Sequence, residues 1–212
     1  MGADRAPEHL GVIRFAELPA VAWRNGGGLT REVISVGGSQ PPTEPDWRIS
    51  IADVNEAGSF SLFPGVDRII TVVEGEGMDL VVDGVEHVLG LHEPFSFDGA
   101  SDTSCSRLAG PIRDLNVMTR RDRLTATVAI RDLSETRPIV VAGRQVLVLL
   151  TGSAVVVGAD GSRGELDRLD AVGPSGEHVR LVEGSGRVAV VRIESHLRTR
   201  AGGLDSQAGE QW

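Results

Sequence analysis

Residues 69–84 read IITVVEGEGMDLVVDG, and residues 145–161 read QVLVLLTGSAVVVGADG. A constant shift of 77 residues superposes three glycines on three others: Gly75 on Gly152, Gly84 on Gly161 and Gly99 on Gly176. The same shift pairs apolar residues between them: Leu80 with Val157, Leu89 with Leu166 and Phe95 with Val172. Glycine accepts the positive φ that tight turns between strands need. We therefore predict a repeat of two similar units built from β-strands.

Short runs rich in Val, Ile and Leu recur along the chain, and Gly, Pro, Asp or Asn separate them. We predict strands within residues 33–36, 47–54, 69–73, 78–82, 85–89, 115–118, 125–130, 146–150, 154–157, 179–182 and 188–193. No stretch of about 12 residues has the apolar period of a helix, and a short helix or turn near residues 16–20 is the strongest helical candidate. Many short strands separated by turn residues are typical of an all-β sandwich or barrel.

The motif DRIITVVEGEGMDLVVDG, residues 67–84, resembles the first motif of the cupin jelly roll. Together with the repeat, this resemblance implies an all-β bicupin, in which two jelly-roll β-barrels pack in a single compact chain. We expect the first barrel, with added N-terminal strands and the ligand pocket, in residues 1–122. The second barrel would occupy residues 123–197, and residues 198–212 would form a polar tail.

Many cupins bind a metal through a His-x-His pair, a Glu and a later His. The resemblance places the Glu at Arg68, the pair within residues 61–64 and the later His near Asp102, and none of the expected ligands is present there. The five histidines form no HxH or HxxxH pair. Because a divalent metal site needs three or four convergent ligands, we predict no metal and no cofactor.

Composition excludes several classes of function. The 212 residues include 27 glycines and 21 basic residues, all arginine, so chemistry that depends on lysine is excluded. A net charge of −9 makes nucleic acid and anionic membranes poor partners. The single Cys105 excludes an internal disulfide and a Cys-based zinc cluster, and we interpret it as a buried structural residue. With no signal-peptide pattern and no long apolar run, we expect a cytoplasmic protein.

Arg68 in place of a metal-binding carboxylate would turn the mouth of the first barrel from a cation site into an anion site. A guanidinium is a planar, permanently charged fork that binds a carboxylate bidentately. The alternative interpretation is an ion pair between Arg68 and Asp67 or another acid on the barrel rim.

Two predicted strands place polar residues on one face. Arg48 and Ser50 alternate with isoleucines in DWRISIADV, and Asp114 and Asn116 alternate with apolar residues in DLNVM. If these faces look into the barrel, the four residues line a cavity. The alternative for Arg48 and Ser50 is a face exposed to solvent.

The segment WRNGGGLTRE, residues 23–32, contains three consecutive glycines whose amides could approach a ligand closely or form an anion nest. A flexible loop is the alternative. The segment matches neither a P-loop nor a dinucleotide fingerprint. The string GSFSL, residues 58–62, does not fit the elbow of a serine hydrolase.

Five motifs occur in order between residues 23 and 121: WRNGGGLTREV, DWRISIADVNEAGSFSLFPGVDR, VVEGEGMDL, PFSFDG and DLNVMTRR. In this combination the chain resembles the HutD/Ves family. The resemblance implies a double-cupin fold, association with bacterial histidine-utilisation genes and no established catalytic activity. We expect the matching polar residues and their aromatic neighbours to form one ligand pocket. The candidates are Trp23, Arg24, Asn25, Thr30, Arg48, Ser50, Ser61, Phe63, Asp67, Arg68 and Asn116.

The function that follows is non-catalytic binding of a small carboxylate or formyl-amino acid, which would modulate histidine utilisation, with Arg48 or Arg68 as the anchor. The alternative is a metal-independent hydrolase or isomerase acting on a pathway intermediate, with Asp67, Glu32 or Asp114 as its base. A third hypothesis is a protein-interaction role for the second barrel. We expect a monomer or homodimer.

Overall fold

The fold consists almost entirely of antiparallel strands. The computed structural model describes residues 10–24, 26–37, 45–174 and 176–196. The helix predicted near residues 16–20 is a single 3-10 turn, Phe15–Glu17. Within the described ranges, no helix has the length and apolarity needed to cross a membrane.

Seventeen strands are numbered here in chain order. They are β1 (Val12–Ile13), β2 (Ala20–Ala22), β3 (Gly28–Val36), β4 (Trp47–Val54), β5 (Gly58–Ser59), β6 (Val66–Glu74), β7 (Met78–Val82), β8 (Val85–Leu89), β9 (Pro94–Asp98), β10 (Thr103–Leu108), β11 (Ile112–Arg120), β12 (Leu124–Leu133), β13 (Ile139–Gly143), β14 (Gln145–Gly158), β15 (Arg163–Leu166), β16 (Ala171–Val172) and β17 (Gly176–Ser195).

These strands form three sheets. The first half of the chain builds a six-stranded sheet, in the order β2-β3-β4-β11-β6-β9, and a four-stranded sheet, in the order β5-β10-β7-β8. The second half builds a seven-stranded sheet with the path β1-β16-β14-β17-β12, to which β13 and β15 are added. The short β1 lies in this last sheet because it pairs with β16.

Three apolar cores hold the sheets together. One lies between the four-stranded and six-stranded sheets and includes Ile70, Leu80 and Cys105. A second lies inside the second half and includes Leu147 and Val182. The third joins the halves. From the first half it contains Val33, Trp47, Ile49, Ile51, Ile69, Val73, Leu115 and Val117, and from the second half Leu124, Val146, Val148, Leu150, Leu169, Ala171, Ala189, Val191 and Ile193.

The sequence repeat has a counterpart in the strand pairing. Ile70 pairs with Phe95 between β6 and β9, and Leu147 pairs with Val172 between β14 and β16. These two pairs are related by the 77-residue shift found in the sequence. Two of the superposed glycine pairs also share a positive φ, although Gly152 lies within β14 rather than in the predicted turn. The angles are 96° for Gly75 and 86° for Gly152, and 82° for Gly84 and 83° for Gly161.

The second half differs from the first in its longest strands. β14 and β17 each join two segments that were predicted as separate strands, and a register shift between Leu149 and Thr151 lets β14 continue through Gly152. The described sheets are open, since the six-stranded sheet ends at β2 and β9 and the four-stranded sheet at β5 and β8. The prediction of two closed barrels is therefore not confirmed. Apolar side chains, rather than a continuous ring of hydrogen bonds, connect the two facing sheets of the first half.

Candidate functional site

The first half encloses a cavity of about 510 Å³. It lies beside the core between the four-stranded and six-stranded sheets. Polar, charged and aromatic residues from several strands and loops line it. They are Trp23, Arg24, Thr30, Arg48, Ser50, Glu56, Ser59, Phe60, Ser61, Phe63, Arg68, Cys105, Asp114, Asn116 and Met118, with Ala22, Ala52, Val54 and Gly58 between them. The volume suits a small-molecule ligand.

Strand alternation creates the polar wall of this cavity. On β4, Arg48 and Ser50 line the cavity while Ile49 and Ile51 enter the core between the halves, because successive side chains point to opposite faces. The prediction that Arg48 and Ser50 share a face directed away from these isoleucines is confirmed. Their exposure to bulk solvent, the alternative interpretation, is wrong for Ser50, which is buried.

The neighbouring β11 follows the same rule. Asp114, Asn116 and Met118 line the cavity, and Leu115 and Val117 enter the core between the halves. Asn116 pairs in register with Ser50 on β4, so the polar faces of the two strands are continuous.

Arg68 is the most unusual residue of the site, because a permanently charged side chain is only 4% exposed. Its guanidinium carbon lies 5.2 Å from the ring centre of Phe60, 5.5 Å from that of Phe63 and 4.9 Å from that of Phe97. Such cation–π contacts offset part of the cost of burying the charge. The Nη1 group makes only a long contact of 3.5 Å with the carbonyl oxygen of Ser61, and Nε has no partner among the described residues.

The electrostatics of Arg68 reflect this environment. The pKa of Arg68 is lowered to about 10, chiefly by burial; the carboxyl of Asp114 opposes this shift and the charge of Arg48 adds to it. The group therefore stays protonated at neutral pH. Asp67, the rim partner considered from the sequence, accepts a hydrogen bond from Arg121 Nε at 2.6 Å instead. The interpretation of Arg68 as one half of a pair with Asp67 is wrong.

Asp114 is the second buried ionisable residue of the site. It is 1% exposed, and its Oδ1 atom has no hydrogen-bond partner among the described residues. Burial raises the pKa of Asp114 to about 7; Arg68 lowers this pKa and Asp53 raises it. Near neutral pH the carboxyl thus exists in both protonation states.

Arg48 has a different environment from Arg68. Its Nε atom lies 3.2 Å from Oε2 of Glu32, and its side chain is 29% exposed. Arg48 therefore already has an acidic neighbour and access to water. Nε of both arginines lacks a hydrogen-bond partner among the described residues. Arg68 is the more buried of the two and forms no ion pair within the described chain, although the charge of Asp114 acts on it.

The glycine-rich segment contributes Trp23, Arg24 and Thr30 to the cavity wall. Trp23 donates from Nε1 to Oγ1 of Thr30 at 2.7 Å, which fixes the indole at the cavity wall. A Cβ atom on Gly28 would collide with the carbonyl oxygen of Asp53 and would lie 3.1 Å from the Trp23 ring. Gly28 is thus required for close packing between β3, β4 and Trp23. The backbone oxygen of Gly27 accepts a hydrogen bond from Asn55.

Most of the residues predicted from the sequence meet in this cavity: Trp23, Arg24, Thr30, Arg48, Ser50, Ser61, Phe63, Arg68 and Asn116. Asp67 does not line it, since it lies next to Arg68 on β6 and its side chain pairs with Arg121. Asn25 lies outside the described residues. Whether these residues bind a ligand remains a prediction.

Several lining residues were absent from the predicted ligand set. Asp114 could have been added from its alternation with Leu115, which is visible in the sequence. Glu56 and Ser59 come from an irregular segment and a two-residue strand, where no periodicity indicates direction. Cys105 was predicted as a buried structural residue; it is buried, and it also lines the cavity.

The second half shows what the same strand framework looks like without a polar site. Strand pairing places Gln145 where Arg68 lies, Val188 where Asp114 lies and Val190 where Asn116 lies. Ala129, which pairs with Val190, takes the place of Ser50. The interior of the second half is filled by Leu and Val side chains. The polar residues of the first half are therefore not a requirement of the framework.

The described residues offer no obvious metal centre. No three His, Cys, Asp or Glu side chains among them lie close enough together to hold an ion. Independence from metals remains a prediction.

Comparison with known proteins identifies the family. The HutD family model matches residues 15–190. The chain belongs to the HutD family. "Protein Ves" from Citrobacter koseri is 43% identical over 122 residues, which cover 55% of this chain and 61% of that protein. An "Uncharacterized 21.2 kDa protein in hutC 3'region" from Pseudomonas putida is 42% identical over 118 residues, which cover 55% and 62% respectively. The chain thus spans about three-fifths of these curated relatives.

Solved structures agree with this assignment. HutD from Pseudomonas fluorescens SBW25, described as a formate condition, is 32% identical with a TM-score of 0.73 and covers 87% of this chain and 98% of its own. A cupin 2 conserved barrel domain protein from Leptotrichia buccalis is 9% identical with a TM-score of 0.56, covering 86% of this chain and all of its own. The second similarity shows a cupin-like fold alone.

Proposed function

We propose that this HutD-family protein is a non-catalytic binding protein for a small carboxylate, with Arg68 as the anion anchor. The supporting observation is a guanidinium that is 4% exposed, lies at a cavity of about 510 Å³ and has an unpartnered Nε among the described residues. Buried charges are normally paired and hydrogen-bonded. An anion entering the cavity would supply both the charge and the acceptor.

The aromatic neighbours of Arg68 favour a carboxylate over a spherical ion. Phe60, Phe63 and Phe97 lie around the guanidinium, and we expect a ligand to approach the edge of its planar fork. Two parallel hydrogen bonds from that edge match the two oxygens of a carboxylate. The remaining cavity wall combines apolar and aromatic surface, from residues such as Trp23, Val54 and Met118, with polar side chains that can orient a ligand.

The names of the relatives favour a role in histidine utilisation. One curated relative is described by its position in the hutC 3' region, and a structural relative is a HutD crystallised in a formate condition. We propose that the ligand is a small carboxylate or formyl-amino acid of that pathway, and that its binding modulates the pathway rather than transforming the ligand.

Thermal unfolding of Arg68→Gln tests the anchor. Gln145 occupies the equivalent position in the second half, so the strand framework accommodates glutamine there. At a ligand concentration 100 times the dissociation constant, we expect a stabilisation of about 2.7 kcal/mol for the wild type and none for Arg68→Gln. Formate, acetate and histidine-pathway carboxylates serve as probes.

Arg107→Gln is the matched control, because it removes the same charge from a 75% exposed side chain that does not line the cavity. It should retain the full ligand-induced shift. Equal shifts for wild type and Arg68→Gln would refute the assignment of Arg68 as the anchor.

A metal-independent hydrolase or isomerase is the second candidate function, and Asp114 is the observation that favours it. Its carboxyl lines the cavity, and burial raises its pKa to about 7, which suits a general base. The other two base candidates fit less well, since Asp67 lies outside the cavity wall and Glu32 is held by Ser35 and Arg48. Turnover of a formyl-amino acid by metal-free protein, abolished in Asp114→Asn, would support this function. No turnover of any pathway intermediate would exclude it.

We also propose that the two halves correspond to two cupin-type units, residues 1–122 and 123–197, with β1 of the first range added to the sheet of the second unit. Only the first unit would bind a ligand. The filled interior of the second half supports a structural role for that unit. Light scattering after size exclusion would test the expected monomer or homodimer.

A further inference from the structure

The cavity wall contains buried acceptors as well as a buried donor. Nε of Arg68, Oδ1 of Asp114 and Oδ1 of Asn116 are all buried and have no hydrogen-bond partner among the described residues. All three residues line the same cavity. Buried polar atoms of native proteins are almost always satisfied. Because these three residues line the cavity, we expect the complementary groups to come from the cavity side.

A simple carboxylate can form hydrogen bonds with only some of these unpaired polar atoms. Its two oxygens accept hydrogen bonds and can pair with Arg68, but they donate none. The amide oxygen of Asn116 needs a donor, and an ionised Asp114 carboxylate also needs one and would repel a second anion. Leaving such an acceptor unpaired costs the desolvation of that group.

We infer that the ligand carries a hydroxyl or N–H donor in addition to its carboxylate, and that Asn116 and Asp114 select it by accepting that donor. The inference rests on the proposed carboxylate site at Arg68. Asn116 and Asp114 are then specificity-determining residues. The ligand class is small hydroxy acids or acids with a nearby N–H.

The register of β6 and β11 sets the spacing of these groups. Arg68 pairs with Met118, Ile70 with Asn116 and Val72 with Asp114. Ile70, the pairing partner of Asn116, is two residues from Arg68 along β6, which corresponds to about 7 Å in an extended strand. Asp114 lies a further two residues away. The anion and donor positions are thus ordered along one direction. The step of about 7 Å between the levels of Arg68 and Asn116 suits a small bifunctional acid, and a longer acid is needed to reach from Arg68 to the level of Asp114.

The second half supports the assignment of these acceptors to a ligand. The framework places valines at both equivalent positions, Val188 and Val190, and there the interior is filled. Polar residues occupy these two strand positions only in the half that contains the cavity, although apolar residues fit the same positions in the second half.

Matched pairs of acids test the inference on the wild-type protein by calorimetric titration. The pairs are acetate with glycolate, propionate with lactate, and N-acetylsarcosine with N-acetylglycine, whose second members add a hydroxyl or an N–H donor. We expect at least about tenfold tighter binding of the member with the donor in at least one pair, from the cost of an unpaired acceptor. Equal affinities within all three pairs would overturn the inference while leaving the Arg68 site intact.

Variants then identify the selecting residues. Asn116→Val and Asp114→Val copy the second half and should reduce the affinity ratio within the pair toward one. Thr71→Val is the matched control, because Thr71 is a buried β6 residue whose hydroxyl lacks a partner in the described chain but does not line the cavity. It should leave the ratio unchanged.

Equal affinities within every pair, with binding lost in Arg68→Gln, would refute this inference and leave the proposed function standing. Two further results bear on both proposals together. Loss of binding for both members in Arg68→Gln, with unequal affinities in the wild type, supports both. No binding of any acid to the wild type refutes both. If a variant does not fold, the comparison of matched acids on the wild type still decides the question.

Discussion

A single carboxyl, that of Asp114, couples the candidate site to pH. The ordinary pKa of an aspartate is 3.8, and burial raises that of Asp114 to about 7. A raised pKa means that the folded protein binds the proton more tightly than the unfolded chain does. This contribution to stability is fully present below pH 3.8 and is lost as the pH rises through about 7.

Asp114→Asn should reveal this dependence. The asparagine cannot ionise, so the free energy of unfolding of the wild type, relative to that of the variant, should fall between about pH 4 and pH 7 and then level off. Urea unfolding of both proteins across that range measures the difference. A difference independent of pH, or one that grows with pH, would contradict the buried, partly protonated carboxyl.

Part of this residue-scale picture could be read from the sequence. Alternation along residues 47–54 and 114–118 correctly separated cavity-facing from core-facing side chains, because a strand fixes direction every second residue. The contact of Phe97 with Arg68 was not predictable, since it depends on how β9 pairs with β6. The outward direction of Asp67 follows by alternation from its neighbour Arg68, whereas membership of a shared motif does not indicate the direction of a side chain.

At the scale of elements, a network of ion pairs fixes four strands of the six-stranded sheet. Asp53 on β4 accepts hydrogen bonds from Arg31 on β3 and Arg113 on β11. Arg113 also donates to Glu74 on β6 at 2.8 Å. Arg168, from the second half, lies 2.8 Å from the same glutamate, so the network extends between the halves.

Asp53→Asn should weaken this network. Hydrogen bonds to charged groups contribute about 2 kcal/mol, and we expect a loss of that order in the free energy of unfolding at pH 7. Burial opposes ionisation of Asp53, but Arg113 and Arg31 outweigh it and lower its pKa, so the contribution is present above pH 3.8 and is lost in acid. Asp122→Asn is the control, because Asp122 is exposed and its ion pairs are 3.6 and 3.7 Å long. Equal effects of the two substitutions would show that the network contributes nothing specific.

The observed strand ends agree with those predicted from the sequence where the strands are bounded by tight turns. The strands at residues 47–54, 78–82 and 85–89 have the predicted ends, since polar or glycine turns bound them. β17 was predicted in two pieces because Gly184 and Gly186 read as a turn. In the structure both glycines keep a positive φ within a continuous strand, where they approach the backbone of β14. Sequence alone does not distinguish a glycine that ends a strand from one that permits close approach.

At the scale of the whole molecule, the core between the halves makes the chain one body. Leu115 and Val117 from the six-stranded sheet and Leu150 and Val148 from the seven-stranded sheet belong to one buried cluster. The repeat predicted two units, and this shared core explains why they are packed together.

Leu150→Ala should therefore destabilise both halves at once. A buried leucine truncated to alanine costs about 2–5 kcal/mol, and unfolding should remain a single cooperative transition. Val140→Ala, at a side chain that is 52% exposed, should change stability by less than about 0.5 kcal/mol. Calorimetry of the wild type and both variants measures this, and two separate transitions in Leu150→Ala would show that the halves fold independently.

The position of Trp23 has an optical consequence. The chain has no tyrosine and three tryptophans, so indoles dominate its near-ultraviolet emission. Trp47 is enclosed in the core between the halves, whereas Trp23 stands at the cavity wall with its N–H held by Thr30. A molecule that enters the cavity would displace solvent from the Trp23 ring while leaving Trp47 unchanged. The protein thus carries its own fluorescent probe of cavity occupancy, without any attached label.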